Sequence, residues 1–237
     1  GQRDVRAYDL IGFDPRGVGA GEPRLVCGSG YDDPVRPDYV PADRAAEQAW
    51  LARAARCAAA CGNAFGRLLP HMRTVDSARD LEVIRRALGQ SKISFLGYSW
   101  GTYLGAVYAT LFPHPVHRMV LDSVVRPGGV RYADNLAQNM AFDARAKDFF
   151  AWAARYDALL GLGATPDQVE KTYYEIRARL AATPARGLVG PAEFDDTYLT
   201  AGYPTAVGVP LALGLSRYLQ GSDEPLTVLY RAYAAGA

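Results

Sequence analysis

Polar and apolar positions alternate along residues 93–98, ISFLGY, and the β-formers Ile93 and Phe95 fall on one side of the run, which predicts a short buried strand. From Thr102 to Phe112 the apolar period lengthens to that of a helix, which Pro113 and Pro115 stop. A second strand pattern, RMVLDSVV, covers residues 118–125, and a third, RAYDLIGF, covers residues 6–13. Residues 43–61 are Ala-rich and helical. Residues 74–88 carry the cleanest helical pattern, with Thr74 as N-cap, Asp76 in the first turn, a stripe of Leu81, Ile84 and Leu88, and Gly89 as the stop. Strands alternating with helices over connections of this length imply a parallel sheet covered on both faces.

Past Pro127 the pattern changes. Residues 134–160 predict one long helix or a broken pair. Thr165-Pro166-Asp167-Gln168 is a capping box that opens a helix ending near Ala182, and residues 192–201, 206–219 and 225–233 predict three more helices. A boundary between residues 126 and 132 therefore separates an α/β part, residues 1–130, from an all-helical part, residues 131–237.

Composition narrows the partners more than the fold. The chain of 237 residues is 49% hydrophobic and 22% charged, with a formal net charge of +1. That balance, with no long basic run, argues against a nucleic-acid or anionic-membrane partner. No apolar stretch reaches the roughly 18–20 residues of a membrane span, and the opening GQRDVRAYDL lacks a leader pattern. Cys27, Cys57 and Cys61 have no histidine or further cysteine at ligand spacing, so no metal is expected and no cofactor is implied. A disulfide from Cys27 to Cys57 or to Cys61 competes with three free thiols.

The chemistry concentrates in Gly97-Tyr98-Ser99-Trp100-Gly101, a G-x-S-x-G between a predicted strand and a predicted helix. In that setting the serine sits on a strained turn that lifts its hydroxyl clear of the sheet edge. The Trp100 backbone N–H, at the helix start, then faces a developing oxyanion. Gly97 and Gly101 let strand and helix approach, and Gly105 thins the helix face beside the sheet.

GFDPRGVGAGEP (residues 12–23), SARDLEVIRRALG (77–89), ISFLGYSWGTYLGAVYATLFP (93–113) and HRMVLDSVVRP (117–127) together resemble the α/β-hydrolases. Within them they are most similar to the secreted tripeptidyl aminopeptidases of actinobacteria, relatives of the proline iminopeptidases. The resemblance implies a partial α/β-hydrolase sheet followed by a helical cap, with Ser99 as nucleophile and Trp100 as one oxyanion donor. It further implies a secreted enzyme, a peptide substrate with a free N-terminus, and an oxyanion loop, a triad histidine and a triad acid that lie outside these residues, on a companion segment or chain.

Inside the chain the candidate bases are few. His114 and His117 flank Pro115 at the far end of the serine's helix, and His71 precedes the helix at residue 74. Asp122, near the end of its strand, is a candidate acid or a cap for the following turn. Asp14 and Arg16 form a pair, or backbone hydrogen bonds, that steady their loop, and Asp80 anchors helix to loop. Glu193, Asp195 and Asp196 form an acidic cluster that would suit a substrate ammonium group, or a solvated helix face. Phe149, Phe150, Trp152, Tyr173 and Tyr174 line a pocket or fill a core. Two other functions compete with the peptidase: an esterase or lipase-like hydrolase on the same scaffold, and a non-catalytic binding or assembly subunit that keeps the fold.

Overall fold

The computed structural model describes residues 8–28, 30–129 and 132–235. The chain separates into two compact units, and the division falls within one helix, α1 (Arg44–Phe65). Residues 8–28 and 57–129 form the first unit; residues 30–56 and 132–235 form the second. A cut at residue 130 alone leaves out residues 30–56, which pack with the helical unit. Residues 130 and 131 themselves lie outside the described residues.

In the first unit α2 (Thr74–Ala87) is followed by β1 (Ile93–Tyr98), α3 (Trp100–Leu111) and β2 (Val116–Asp122). β1 and β2 pair in parallel, with Ser94 opposite Arg118 and Tyr98 opposite Asp122. Thr74 turns out to be the first helical residue of α2, and Arg73 is the N-cap. Asp76 closes this end by accepting from the Arg73 backbone N–H at 3.2 Å and from its Nε at 3.1 Å. The core beneath the sheet is Ala78 and Leu81 from α2 and Tyr108 from α3, joined by Ile93, Phe95, Leu104 and Val116.

The opposite face of the sheet is bare among the described residues, with Leu96, Tyr98 and Val120 exposed by 58%, 61% and 57%. The strand predicted at residues 6–13 is not found. Residues 6 and 7 lie outside the described residues, and residues 8–13 join no ladder, leaving Leu10 and Ile11 exposed. β-Propensity alone cannot hold a strand whose N–H and C=O groups find no partner.

The second unit holds α4 (Tyr132–Ala154), α5 (Asp157–Leu160), α6 (Pro166–Ala182), α7 (Pro191–Leu199), α8 (Gly208–Leu219) and α9 (Glu224–Tyr233). The long pattern at residues 134–160 is the broken pair, α4 and α5. Thr165 caps α6 as its sequence predicts, accepting from Gln168 N at 3.3 Å while Gln168 Oε1 accepts from Thr165 N at 3.2 Å. Phe149, Phe150, Ile176, Phe194, Leu211 and Leu226 fill this core, so the aromatic run is packing, apart from Tyr174, which is exposed.

Candidate active site

Ser99 occupies the single residue between the end of β1 and the first turn of α3, with φ +48° and ψ −119°. A non-glycine residue at positive φ is strained by about 1–3 kcal/mol and persists only where its surroundings over-determine it. The surroundings here do so. The Ser99 N–H donates to the Asp122 carbonyl at 3.0 Å, and the Ser99 carbonyl accepts from Thr102 N at 2.9 Å. The Ser99 hydroxyl makes no capping bond to α3. Trp100, the first residue of α3, carries one of the N–H groups that a helix leaves without an internal acceptor, at the positive end of the helix dipole.

The close approach of strand and helix rests on Gly97 and Gly105. A Cβ at Gly97 would lie 2.6 Å from the Gly101 carbonyl oxygen, and one at Gly105 would lie 2.7 Å from Phe95 and 2.9 Å from Leu121. Gly101 differs from its sequence reading, since a Cβ there meets nothing within 4 Å.

α2 braces α3 through a buried polar tie. Tyr108 donates its hydroxyl to Glu82 Oε2 at 3.0 Å, and Arg85 and Arg86 donate to the same carboxylate at 2.7 and 2.8 Å. Hydrogen bonding from Arg85, reinforced by Arg86 and Tyr108, outweighs burial and holds the Glu82 carboxyl at about 2. Burial, with Glu82 alongside, pushes the Tyr108 hydroxyl up to about 12.

The other candidates fall into place around this frame. Arg16 pairs with Asp80, Nε and Nη2 each at 2.7 Å, and its Nη1 donates to the His71 carbonyl at 2.9 Å. Asp80 is thus the helix-to-loop anchor, while Asp14 accepts from Ala20 N at 2.8 Å. His117 sits at the start of β2, between the register partners of Ile93 and Ser94, and its Nδ1 is 3.4 Å from Ser94 Oγ. Five residues of strand at roughly 3.3 Å each put it about 17 Å from Ser99. His114 lies beyond the C-terminus of α3, a helix of 12 residues, so about 18 Å of helix separates it from the serine. No described histidine bonds to the Ser99 hydroxyl. Asp122 accepts from its neighbour Ser123 Oγ at 3.1 Å, as a residue closing its turn does.

The acidic cluster of the second unit is partnered. Glu193, 0% exposed, accepts from Arg36 Nε at 2.9 Å and from the backbone N–H of Arg36 and Gly190 at 3.0 Å each. Asp196 accepts from Arg36 Nη2 at 2.6 Å. Asp195 accepts from Arg177, whose guanidinium also grips Asp38. Guanidinium groups occupy these carboxylates, so the cluster straps residues 30–40 to α6 and α7. Arg36 and Arg177 carry no local signal of this role, because their partners lie up to 160 residues away.

Comparison with known proteins decides the family. A profile described as the alpha/beta hydrolase fold matches residues 2–220. The chain belongs to the alpha/beta hydrolase fold family. It is 43% identical over 225 residues to a tripeptidyl aminopeptidase of Streptomyces lividans, covering 94% of this chain and 42% of that protein. It is 34% identical over 243 residues to the serine protease Hip1 of Mycobacterium tuberculosis, covering 95% of this chain and 46% of that protein. It is 34% identical over 189 residues to a carboxylesterase B of Mycobacterium tuberculosis, covering 77% and 35% respectively. The chain thus spans less than half the length of these relatives. As an alpha/beta hydrolase, its β1–Ser99–α3 junction is the turn on which the serine of G-x-S-x-G is expected.

Two further findings bear on the setting. Cys27 and Cys61 form a disulfide and Cys57 remains a free, half-buried thiol, which resolves the alternatives that spacing left open. Among the described residues no cluster of His, Cys, Asp and Glu could hold a metal ion, and no helix is long and apolar enough to cross a membrane.

Proposed function

We propose that the protein is a serine hydrolase that cleaves short peptides from a free N-terminus through an acyl-enzyme on Ser99. The observation that carries this is the backbone of Ser99, a non-glycine residue at φ +48° held between a parallel strand and a helix start. The 43% identity to a tripeptidyl aminopeptidase supports the peptide substrate. In the proposed step Ser99 Oγ attacks the scissile carbonyl carbon and gives its proton to a general base. The Trp100 N–H donates to the resulting oxyanion. Collapse then expels the amine, which takes up that proton, and water hydrolyses the ester. We assign the base and the acid to parts of the protein outside residues 1–237, since no described histidine bonds to the Ser99 hydroxyl and His114 and His117 lie far along their elements from it. We leave the Glu193, Asp195 and Asp196 carboxylates out of the substrate site. The Cys27–Cys61 disulfide supports an extracytoplasmic, oxidising compartment.

The likeness to a carboxylesterase favours one competing reading, ester hydrolysis on the same serine. The two separate on substrates offered to the full-length protein: a tripeptide p-nitroanilide, its N-acetylated form, and a medium-chain p-nitrophenyl ester. The peptidase reading expects turnover of the free tripeptide and a loss of about a hundredfold or more on acetylation, the scale expected when a buried recognition group is left unpaired. Equal turnover of both peptides, or turnover of the ester alone, overturns it.

A further inference from the structure

The hydroxyl of Thr102 stands where the nucleophile's turn meets the segment leaving β2. It donates to the Ser99 carbonyl at 2.6 Å and accepts from the Val125 N–H at 3.0 Å. Thr102 itself is 1% exposed, and both of its bonds are part-buried. A threonine in the first turn of a helix often bonds back to a nearby carbonyl, and that bond alone would say only that the helix is well begun. Two further observations separate this one. The hydroxyl also takes a donor from a different strand's exit, 23 residues on, and the carbonyl it grips belongs to the residue with the strained φ.

The connections close a ring. Ser99 N donates to the carbonyl of Asp122, Asp122 leads through Ser123, itself at φ +59°, to Val125, and Val125 N donates to Thr102 Oγ1, which returns to Ser99. Both peptide groups of the serine are thereby held, one by the last carbonyl of β2 and the other through Thr102.

We propose that Thr102 is a positioning residue that holds the peptide plane following Ser99, and with it the direction of the Ser99 hydroxyl and the Trp100 N–H. That plane comprises the Ser99 carbonyl and the Trp100 N–H, so a hydrogen bond that holds the carbonyl oxygen also sets where the proposed oxyanion donor points. This rests on the reading of Ser99 as nucleophile. Loss of the Thr102 hydroxyl leaves the acyl-enzyme chemistry available but misdirected, so the loss belongs in kcat rather than KM.

The test uses the full-length protein and four forms: wild type, Ser99→Ala, Thr102→Val and Thr102→Ser. For each, kcat and KM for the tripeptide p-nitroanilide and the second-order rate of fluorophosphonate labelling are measured, with exchange of the Val125 amide followed by NMR. Thr102→Val is expected to lower kcat and the labelling rate by about tenfold or more, with KM within about twofold, in keeping with the sensitivity of positioned groups to small displacements. It should also speed Val125 exchange. Thr102→Ser, which keeps the hydroxyl, is expected to restore both. Should Thr102→Val not fold, Thr102→Ala, which leaves room for water, takes its place with the same expected loss. Wild-type kcat in the hydroxyl-free variant, a loss confined to KM, or a serine variant as poor as the valine overturns the proposal. A wild type that neither labels nor turns over sinks the nucleophile reading instead, and that result is distinct because Val125 exchange still reports on the clamp.

Discussion

At the scale of single residues, Ser99 holds a φ of +48° that a serine does not adopt unaided. Backbone sterics alone would move it, and the hydrogen bonds to Asp122 and Thr102, together with the tight seat between β1 and α3, oppose that relaxation. The seat depends on where a methyl group fits. A Cβ at position 97 meets the Gly101 carbonyl at 2.6 Å, whereas one at position 101 meets open space. Gly97→Ala is therefore expected to destabilise the protein by about 1–3 kcal/mol in urea unfolding, as overpacking does. Gly101→Ala is expected to be neutral or to stabilise by up to about 1 kcal/mol, because it only removes a glycine from a helix. Equal effects at the two positions would contradict this geometry. Both glycines stand out in the sequence, but the motif gives no sign of which one the packing requires, because that depends on where β1 and α3 come to lie.

At the scale of elements, α3 is held against α2 by Glu82, which Tyr108, Arg85 and Arg86 all reach. The folded carboxyl lies at about 2, below its ordinary 4.5. A depressed folded pKa contributes stability that is fully present above the ordinary value and disappears as pH falls toward the folded one. The stability difference between wild type and Glu82→Gln should therefore be largest above about pH 5 and shrink steadily between pH 4.5 and 2, read from urea midpoints across that range. A difference independent of pH would show that the tie acts by shape alone. The helices themselves were legible in the chain: Thr165 and Gln168 announce α6, and Pro113 ends the helical run after Leu111. These signals are local. Residues 8–13 show the limit, since their apolar pattern reads as a strand, yet a strand exists only if another chain segment pairs with it. The tie from Glu82 to Tyr108 spans 26 positions and the strap from Arg36 to Glu193 spans 157. Neither leaves a trace in periodicity.

At the scale of the whole molecule, the first unit carries the Ser99 turn on what is, among the described residues, a sheet of two parallel strands, with Leu96, Tyr98 and Val120 uncovered on one face. Parallel sheets are ordinarily covered on both faces, and the chain spans less than half the length of the relatives it matches. The turn itself was legible because G-x-S-x-G, the strand before it and the helix after it are contiguous. The pairing of the acidic cluster was not legible for the opposite reason, since its counter-charges come from distant segments. The measurement that tests the central claim most directly is intact-mass analysis of the full-length protein after reaction with a fluorophosphonate probe, beside Ser99→Ala. One adduct per chain is expected in the wild type and none in the variant. An adduct that persists in Ser99→Ala, or a folded wild type that takes up no probe, would contradict Ser99 as the nucleophile.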